Sequence, residues 1–217
     1  MNKIQIKKYI KKVCINSLEA SRLARSLTNS DRVKIINLII KNLRLNRRII
    51  KKKNLIDIEA AKRNKLSNSL IDRLLINDNR ISSMIDGLVK IKTIPDIIFK
   101  KINKSKQPSG IVVEQMRVPL GVIAMIYESR PNVTIDAAGL ALKSANSIIL
   151  RGGSEAINSN LILSKVIKDS LNECSISTNL VQIIKTTDRS AVSELLKMDD
   201  YIDVIIPRGG KGLIRKI

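Results

Sequence analysis

The sequence predicts an α/β protein: a helical amino-terminal region over residues 1–109, then a doubly wound parallel sheet over residues 110–217 that is incomplete at its carboxyl end. Three observations carry this reading. Before Gly110, apolar residues recur at three- and four-residue steps, with Gly only at Gly87 and Pro only at Pro95 and Pro108, a texture that suits helices. After Gly110, short apolar runs bounded by turn residues alternate with helical stretches, which is the pattern of βαβ units. Two of those runs end in Arg-Gly-Gly, at Arg151 to Gly153 and at Arg208 to Gly210.

Each element follows from its own residues. In SDRVKIINLIIKNLRLN, Val33, Ile36, Ile39, Ile40 and Leu43 share one helical face, with Ser30 as the expected N-cap. RRIIKKKNLIDIEAAKRN, LSNSLIDRLLIN and DNRISSMIDGLVKIKTI read as three further helices. KINKSKQPSG reads as a polar linker, and the runs Lys51–Lys53 and Lys100–Lys106 as solvated faces or loops. IVVEQMRV alternates enough for a half-buried strand, and PLGVIAMIY is a short continuous apolar run. RPNVTIDAAGLALKSA follows as a helix with Pro131 in its first turn. NSIIL, NLVQII and YIDVIIP are strand-like; SEAINSNLILSKVIKDSL and DRSAVSELLKM, the latter capped by Asp188, are helical; KGLIRKI starts another helix. The right-handed crossover rule places helices on both faces of the resulting sheet.

Composition narrows the function classes. A net charge of +21 is the usual footprint of a nucleic-acid binder. Here 38 Ile, 25 Lys and 18 Asn stand against 11 Ala and 9 Gly, a skew toward A/T-rich codons that raises Lys with no nucleic acid involved. Trp is absent and Phe99 is the only Phe, so the aromatic platforms of single-strand binders are missing. No nucleic-acid partner is expected. Without histidine, Ser-His-Asp and Cys-His catalysis and His-ligated metal sites are excluded. Cys14 and Cys174 are too few and too isolated for a disulfide framework or a zinc site. No run reaches the ~18 apolar residues of a membrane helix, and the basic start lacks a signal-peptide core. The chain is therefore expected in the cytoplasm, without a membrane partner and without a metal.

Three loops lie at the carboxyl edge of the expected sheet, where ligands of open α/β folds bind. The first two are the Arg-Gly-Gly loops, where glycines admit a close ligand and Arg adds a fork for phosphate. The plain alternative is a strand-to-helix turn needing Gly for positive φ. In the third, Glu128, Ser129, Arg130, Pro131 and Asn132 join a strand to a helix. Ser129 and Asn132 suit helix capping as well as they suit oxyanion support, and both readings stand at this point.

VPLGVIAMIYESRPNVTIDAAGLALKSANSIILRGGSEAINSN and LLKMDDYIDVIIPRGGKGLI closely resemble the signature regions of the γ-glutamyl phosphate reductases, a branch of the aldehyde dehydrogenase superfamily. YESRPNV and IIPRGGKGL are the most specific segments, and the resemblance spans nearly the whole chain. It implies a Rossmann-like sheet of the aldehyde dehydrogenase type and reduction of γ-glutamyl phosphate by NADPH to glutamate-5-semialdehyde, in proline biosynthesis. It also implies a cysteine thiolate that attacks the acyl phosphate, giving a thioester that receives hydride. By the same resemblance Arg151, Gly152, Gly153, Ser154 and Glu155 lie near the adenosine ribose, where a 2′-phosphate is read. Pro207, Arg208, Gly209, Gly210 and Lys211 lie near the pyrophosphate, with Ser129 and Arg130 also on the cofactor side. Asn132 corresponds to the amide that supports the oxyanion.

The family's nucleophilic cysteine lies well beyond the IIPRGG loop, and neither Cys14 nor Cys174 resembles its motif. This chain alone is therefore expected to be inactive. A split enzyme completed by a carboxyl-terminal polypeptide, a decaying gene and a partial chain all account for the early stop, and the alternative function is an inactive remnant that at most binds dinucleotide. The expected partners are the small-molecule substrate, a carboxyl-terminal half polypeptide and further copies in a homo-oligomer. Val204, Ile205 and Ile206 are expected at an exposed sheet edge.

Overall fold

In the computed structural model, residues 1–215 are described. Five helices come first: α1 (Lys3–Ala24), α2 (Asn29–Leu45), α3 (Arg47–Arg63), α4 (Asn68–Leu74) and α5 (Asp78–Thr93). A hairpin of β1 (Lys101–Lys106) and β2 (Val112–Met116) follows, then β3 (Val122–Tyr127), α6 (Asn132–Lys143), β4 (Ser147–Arg151) and α7 (Ile157–Glu173). The chain continues through β5 (Val181–Ile183), α8 (Ser190–Leu195), β6 (Val204–Arg208) and α9 (Lys211–Ile214). Lys216 and Ile217 of the expected last helix lie outside the described residues.

Strands β3 to β6 form one parallel sheet in the order β5-β4-β3-β6. The first strand of this sheet thus has the second and third on one side and the fourth on the other, so the order reverses between β3 and β6. That reversal opens a crevice at the strands' carboxyl ends. Strand periodicity divides the core into two faces. Val122, Ala124 and Ile126 pack with Ile6, Ile10, Val13 and Cys14 of α1 and with Ala191 and Leu195 of α8. Ile123 and Tyr127 point the other way, into a cluster with α6 and α7 that α2 and α5 join. Ile10 and Ile35, each 0% exposed, contribute about 1.5–3 kcal/mol apiece relative to an exposed side chain. The helical region therefore supplies core to both faces of the sheet.

Buried polar contacts fix how the layers meet. Gln182 of β5 donates from Nε2 to the Val13 carbonyl (2.7 Å) and to Ser17 Oγ (2.9 Å) of α1. Asn54 of α3 accepts the Ile76 amide (2.7 Å) and donates to Ser159 Oγ of α7 (3.0 Å). Arg32 of α2, its side chain 3% exposed, pairs with Asp96 at 2.8 Å.

Four expectations change in detail. The N-cap of α2 is Thr28, whose hydroxyl takes the Asp31 amide while Asp31 takes the Thr28 amide, a reciprocal box that Ser30 cannot form from inside the first turn. The segment read as a linker forms β1, and IVVEQMRV is an exposed strand rather than a half-buried one, because β2 pairs only with β1. At α8 the assigned N-cap is Arg189, yet the Asp188 carboxylate accepts the Ser190 amide at 2.8 Å. Among the described residues β6 is an edge strand, and Ile206 is exposed.

Candidate functional site

The three predicted loops meet at the carboxyl ends of β3, β4 and β6. β3 pairs with β4 on one side and β6 on the other, so Ile126 lies between Arg151 and Pro207, and Arg208 lies opposite Tyr127. Glu128 follows β3 at the strand reversal, and its Oε2 accepts the Gly210 amide at 3.2 Å. The β6 loop thus already presents a backbone donor to an anionic oxygen.

Ser129 has φ +44°, an unusual backbone for a residue with a side chain. Its N–H and its hydroxyl both donate to Glu155 Oε1, each at 2.7 Å. Two charge-assisted bonds offset local strain of about 1–3 kcal/mol and tie the β3 loop to the β4 loop. Arg130 is exposed, Pro131 occupies the N-cap position of α6, and Asn132 begins that helix. Asn132 Nδ2 donates to Asp136 Oδ2 at 3.0 Å. Burial pushes the Asp136 carboxyl above its ordinary range, against the Asn132 hydrogen bond and the Arg208 charge.

At the end of β4, Arg151 is buried, with Nη1 donating to the Gly152 carbonyl (2.7 Å) and Nη2 to the Thr187 carbonyl (3.3 Å). Its Nε–H is buried without a partner among the described residues. Beneath it the Tyr127 hydroxyl lies 2.6 Å from Thr134 Oγ1, and burial pushes that phenol strongly upward.

The loop glycines do not have positive φ; among the glycines only Gly110 and Gly121 do. Space is the constraint instead. A Cβ on Gly209 would come 2.7 Å from Glu128 Oε2 and 2.7 Å from Leu213 Cδ2, and Cβ atoms on Gly152 and Gly153 would overlap Asn160 and Glu155. No glycine of either Arg-Gly-Gly loop needs positive φ; the chain's own side chains crowd Gly152, Gly153 and Gly209, and Gly210 stands clear of them.

Four cavities border these loops, and three of them gather most of the predicted residues. One of about 680 Å³ holds Arg151, Gly153, Ser154 and Glu155 together with Gly210 and Glu128. A second of about 380 Å³ joins Glu128, Ser129 and Arg130 to Arg208, Gly209 and Gly210. A third of about 330 Å³ takes Asn132 and Asp136 with Arg73, Arg80 and Arg130. Arg130 belongs to the last two cavities, and Glu128 and Gly210 to the first two. Asn132 is thus set apart from the Arg151 loop, with Arg130 between. Lys211 begins α9, and its side chain lies outside the described residues.

Sequence reasoning passed over Glu128 as a site residue, although it stands directly after β3 within the YESRPNV segment. Arg73, from α4, and Arg189, at the start of α8, carry no local signal, since only the fold brings them to the loops.

No family model matches the chain. It is 46% identical over 199 residues to the γ-glutamyl phosphate reductase of Clostridium tetani, covering 92% of this chain and 46% of that protein. It is 46% identical over 217 residues to that of Psychrobacter arcticus, covering 100% of this chain and 50% of that protein. The chain spans about half the length of the curated relatives it matches. The crystal structure of γ-glutamyl phosphate reductase from Thermotoga maritima superposes with a TM-score of 0.93 at 39% identity, over 95% of this chain and 50% of that one. An acetylating aldehyde dehydrogenase from Geobacillus thermoglucosidasius, at 17% identity and a TM-score of 0.72 over 99% of this chain and 44% of that one, shares the fold alone. The chain is thus homologous, along its own length, to the amino-terminal half of γ-glutamyl phosphate reductases, and it carries the fold they share with aldehyde dehydrogenases.

Proposed function

We propose that this chain supplies the dinucleotide-binding part of a cytoplasmic γ-glutamyl phosphate reductase, in which NADPH reduces γ-glutamyl phosphate to glutamate-5-semialdehyde and phosphate on the way to proline. The observation that carries this reading is the crevice between β3 and β6, flanked by two Arg-Gly-Gly loops in which Gly152, Gly153 and Gly209 are crowded and none has positive φ.

The residues suit a dinucleotide. The cleft of about 680 Å³ runs from Arg151 to Gly210, and the orphaned Arg151 Nε–H is a donor awaiting an acceptor. Arg151, Gly152, Gly153 and Ser154 would hold the adenosine ribose, while Pro207, Arg208, Gly209, Gly210 and Lys211 would hold the pyrophosphate. Glu128 occupies the Gly210 amide with a carboxylate oxygen, so a phosphate oxygen there displaces it. Glu155 acts indirectly, by holding Ser129 and with it the direction of Arg130. When bound, NADPH supplies a hydride. Asn132 has one amide hydrogen on Asp136 and a second left for a substrate oxygen, which supports oxyanion stabilisation beside the arginines of the third cavity.

The thiol of this reaction belongs to polypeptide beyond this chain. Cys14 is 0% exposed under the sheet and burial pushes its thiol up to about 12, while burial also raises Cys174. Neither is an activated thiolate at neutral pH. The relatives' second half is the natural source, and the β6 edge leaves sheet for it to extend.

Calorimetric titration of the chain with NADPH should give saturable binding. Mixing with the carboxyl-terminal half of a full-length relative should give phosphate-dependent oxidation of glutamate-5-semialdehyde by NADP, absent from either part alone. Turnover by this chain alone, lost on Cys14→Ser or Cys174→Ser, would overturn the assignment of the thiol. Absence of dinucleotide binding would overturn the assignment of the cleft.

A further inference from the structure

The third cavity holds more charge than oxyanion support requires. It measures about 330 Å³, at the lower end of the roughly 300–1,000 Å³ of small-molecule sites, and lies between α4, α5 and the first turns of α6. Leu75, Ile76 and Met84 give it an apolar wall. Arg80 is committed to the surrounding structure: its Nη2 donates to both carboxylate oxygens of Asp72, at 3.0 Å each, and its Nη1 to the Leu75 carbonyl at 2.9 Å. Arg73 and Arg130 also line the cavity, both are exposed, and neither side chain makes a hydrogen bond or ion pair with any described residue. Asp136 accepts from Asn132 at Oδ2 alone, so its Oδ1 has no partner among the described residues. Burial disfavours the Asp136 charge, a cost that a bound cation offsets.

Two unengaged guanidiniums beside a carboxylate with one open oxygen present both signs of charge to a single occupant. A dicarboxylate or a phosphate suits Arg73 and Arg130 but sets an anion against Asp136. A simple amine suits Asp136 but meets two arginines. An α-amino acid carries a carboxylate and an ammonium on one carbon and satisfies both, with its methylenes against the apolar wall. Asn132, bonded to Asp136, keeps its second amide hydrogen for the acyl oxygen at the other end of such a side chain.

We propose that this cavity recognises the α-amino-acid end of the glutamyl substrate, with Arg73 and Arg130 clasping its α-carboxylate and Asp136 receiving its α-ammonium. Selection then falls on the end of the substrate remote from the reacting carbonyl, where binding free energy orients the acyl carbon without touching it. Arg73 and Arg130 also border the second cavity, whereas Asp136 borders the third and not the second. Asp136 is therefore the residue that tells an amino acid from a phosphate. This assignment rests on the glutamyl substrate of the reading given above and not on the dinucleotide cleft.

The test titrates the full chain with L-glutamate, glutarate and 4-aminobutyrate, followed by ligand-observed NMR; glutarate lacks the α-ammonium and 4-aminobutyrate the α-carboxylate. L-glutamate should bind ~10- to 100-fold more tightly than either, the range of a lost charged hydrogen bond. Arg73→Ala should weaken L-glutamate by about 10-fold or more while moving 4-aminobutyrate and NADPH by less than about twofold. Asp136→Asn should weaken L-glutamate by a similar factor without weakening glutarate, and thermal melts should show both variants folded. Equal affinity of the parent for the three ligands, or a loss in Arg73→Ala that 4-aminobutyrate shares, would overturn this site. A loss of inorganic phosphate or NADPH affinity in Arg73→Ala with L-glutamate unmoved would give the arginines to a phosphoryl group and overturn it also. Failure to bind L-glutamate by a chain that saturates with NADPH would overturn this site and leave the cleft standing. The expected selectivity in a chain that does not bind NADPH would uphold this site and overturn the cleft.

Discussion

Replacing Asp57 should unlatch the helical region from the ligand edge. Asp57 is 2% exposed on α3, and it reaches the start of α7, where helix amides have no intrahelical partner. Its Oδ1 accepts from Asn158 N (3.2 Å) and Nδ2 (2.8 Å), and its Oδ2 from Ser159 N (2.8 Å) and Oγ (2.6 Å). Asp57→Ala removes all four acceptor contacts. Ser159 is 0% exposed, so its amide and hydroxyl lose their acceptor away from water, at about 1–3 kcal/mol each. The Asn158 donors are half-buried and partly recover water. Losing the Ser159 amide's acceptor is itself the uncapping of α7, so the expected loss is about 2–6 kcal/mol, or roughly 10 °C in midpoint for a chain of this size. Urea unfolding followed by far-UV circular dichroism reads the change directly. Asp57→Asn, which keeps one oxygen but turns an amide group toward two donors, should lie between parent and Asp57→Ala. A loss below about 1 kcal/mol for Asp57→Ala would refute the view that this carboxylate caps α7 from outside.

Two further outcomes follow from buried titratable groups. Burial raises the Asp136 carboxyl in the folded chain above its unfolded value, so the folded state holds its proton more tightly and stability falls as pH rises from the ordinary carboxylate range through the folded pKa. Asp136→Asn should therefore raise the urea midpoint at pH 7, with the gain shrinking on acidification below the ordinary carboxylate range; a pH-independent difference would contradict the burial argument. Cys14, pushed up to about 12, should resist iodoacetamide at pH 8 in the folded chain while the half-buried Cys174 reacts first, and both should react alike in urea. Rapid native labelling at Cys14 would show that α1 does not seal the sheet face.

The sequence was most informative where structure is set locally. The helical faces of α2 and α5 and the continuous apolar run of β3 are legible in the side chains, and the Arg-Gly-Gly loops are visible because a strand, a turn and a helix start are adjacent in the chain. Thr28 was missed as the cap of α2 because Ser30 stands two residues on with the same chemistry; only the reciprocal bond with Asp31 separates them. The hairpin was missed because Lys101–Lys106 is polar apart from Ile102, so no apolar face announces β1, and its pairing with β2 rests on backbone bonds that any sequence can make. Arg73, Arg189 and Asp57 reach the site or its supports from other helices, over separations at which no pattern in one sequence speaks.

That last group shows how the amino-terminal helices bear on the ligand edge. Asp57 and Asn54 of α3 hold Asn158 and Ser159 at the start of α7. The turn immediately before them carries Glu155, whose carboxylate holds Ser129 in its left-handed conformation. Ser129 in turn sets the path of the chain into Arg130 and Asn132, and its neighbour Glu128 meets the Gly210 amide of the β6 loop. The bonds to Ser159 are buried, so neither can lengthen without leaving a polar group unpaired, whereas the exposed Gly210 amide can exchange its partner. The glycines at 152, 153 and 209 fit the same picture, because the side chains that crowd them are Asn160, Glu155 and Glu128, members of these networks or their neighbours. A site assembled this way needs the helical region for its shape, even though the helices place few of their own side chains in the cleft. On this account α3 is as much a part of the cleft's scaffold as the strands that end at it.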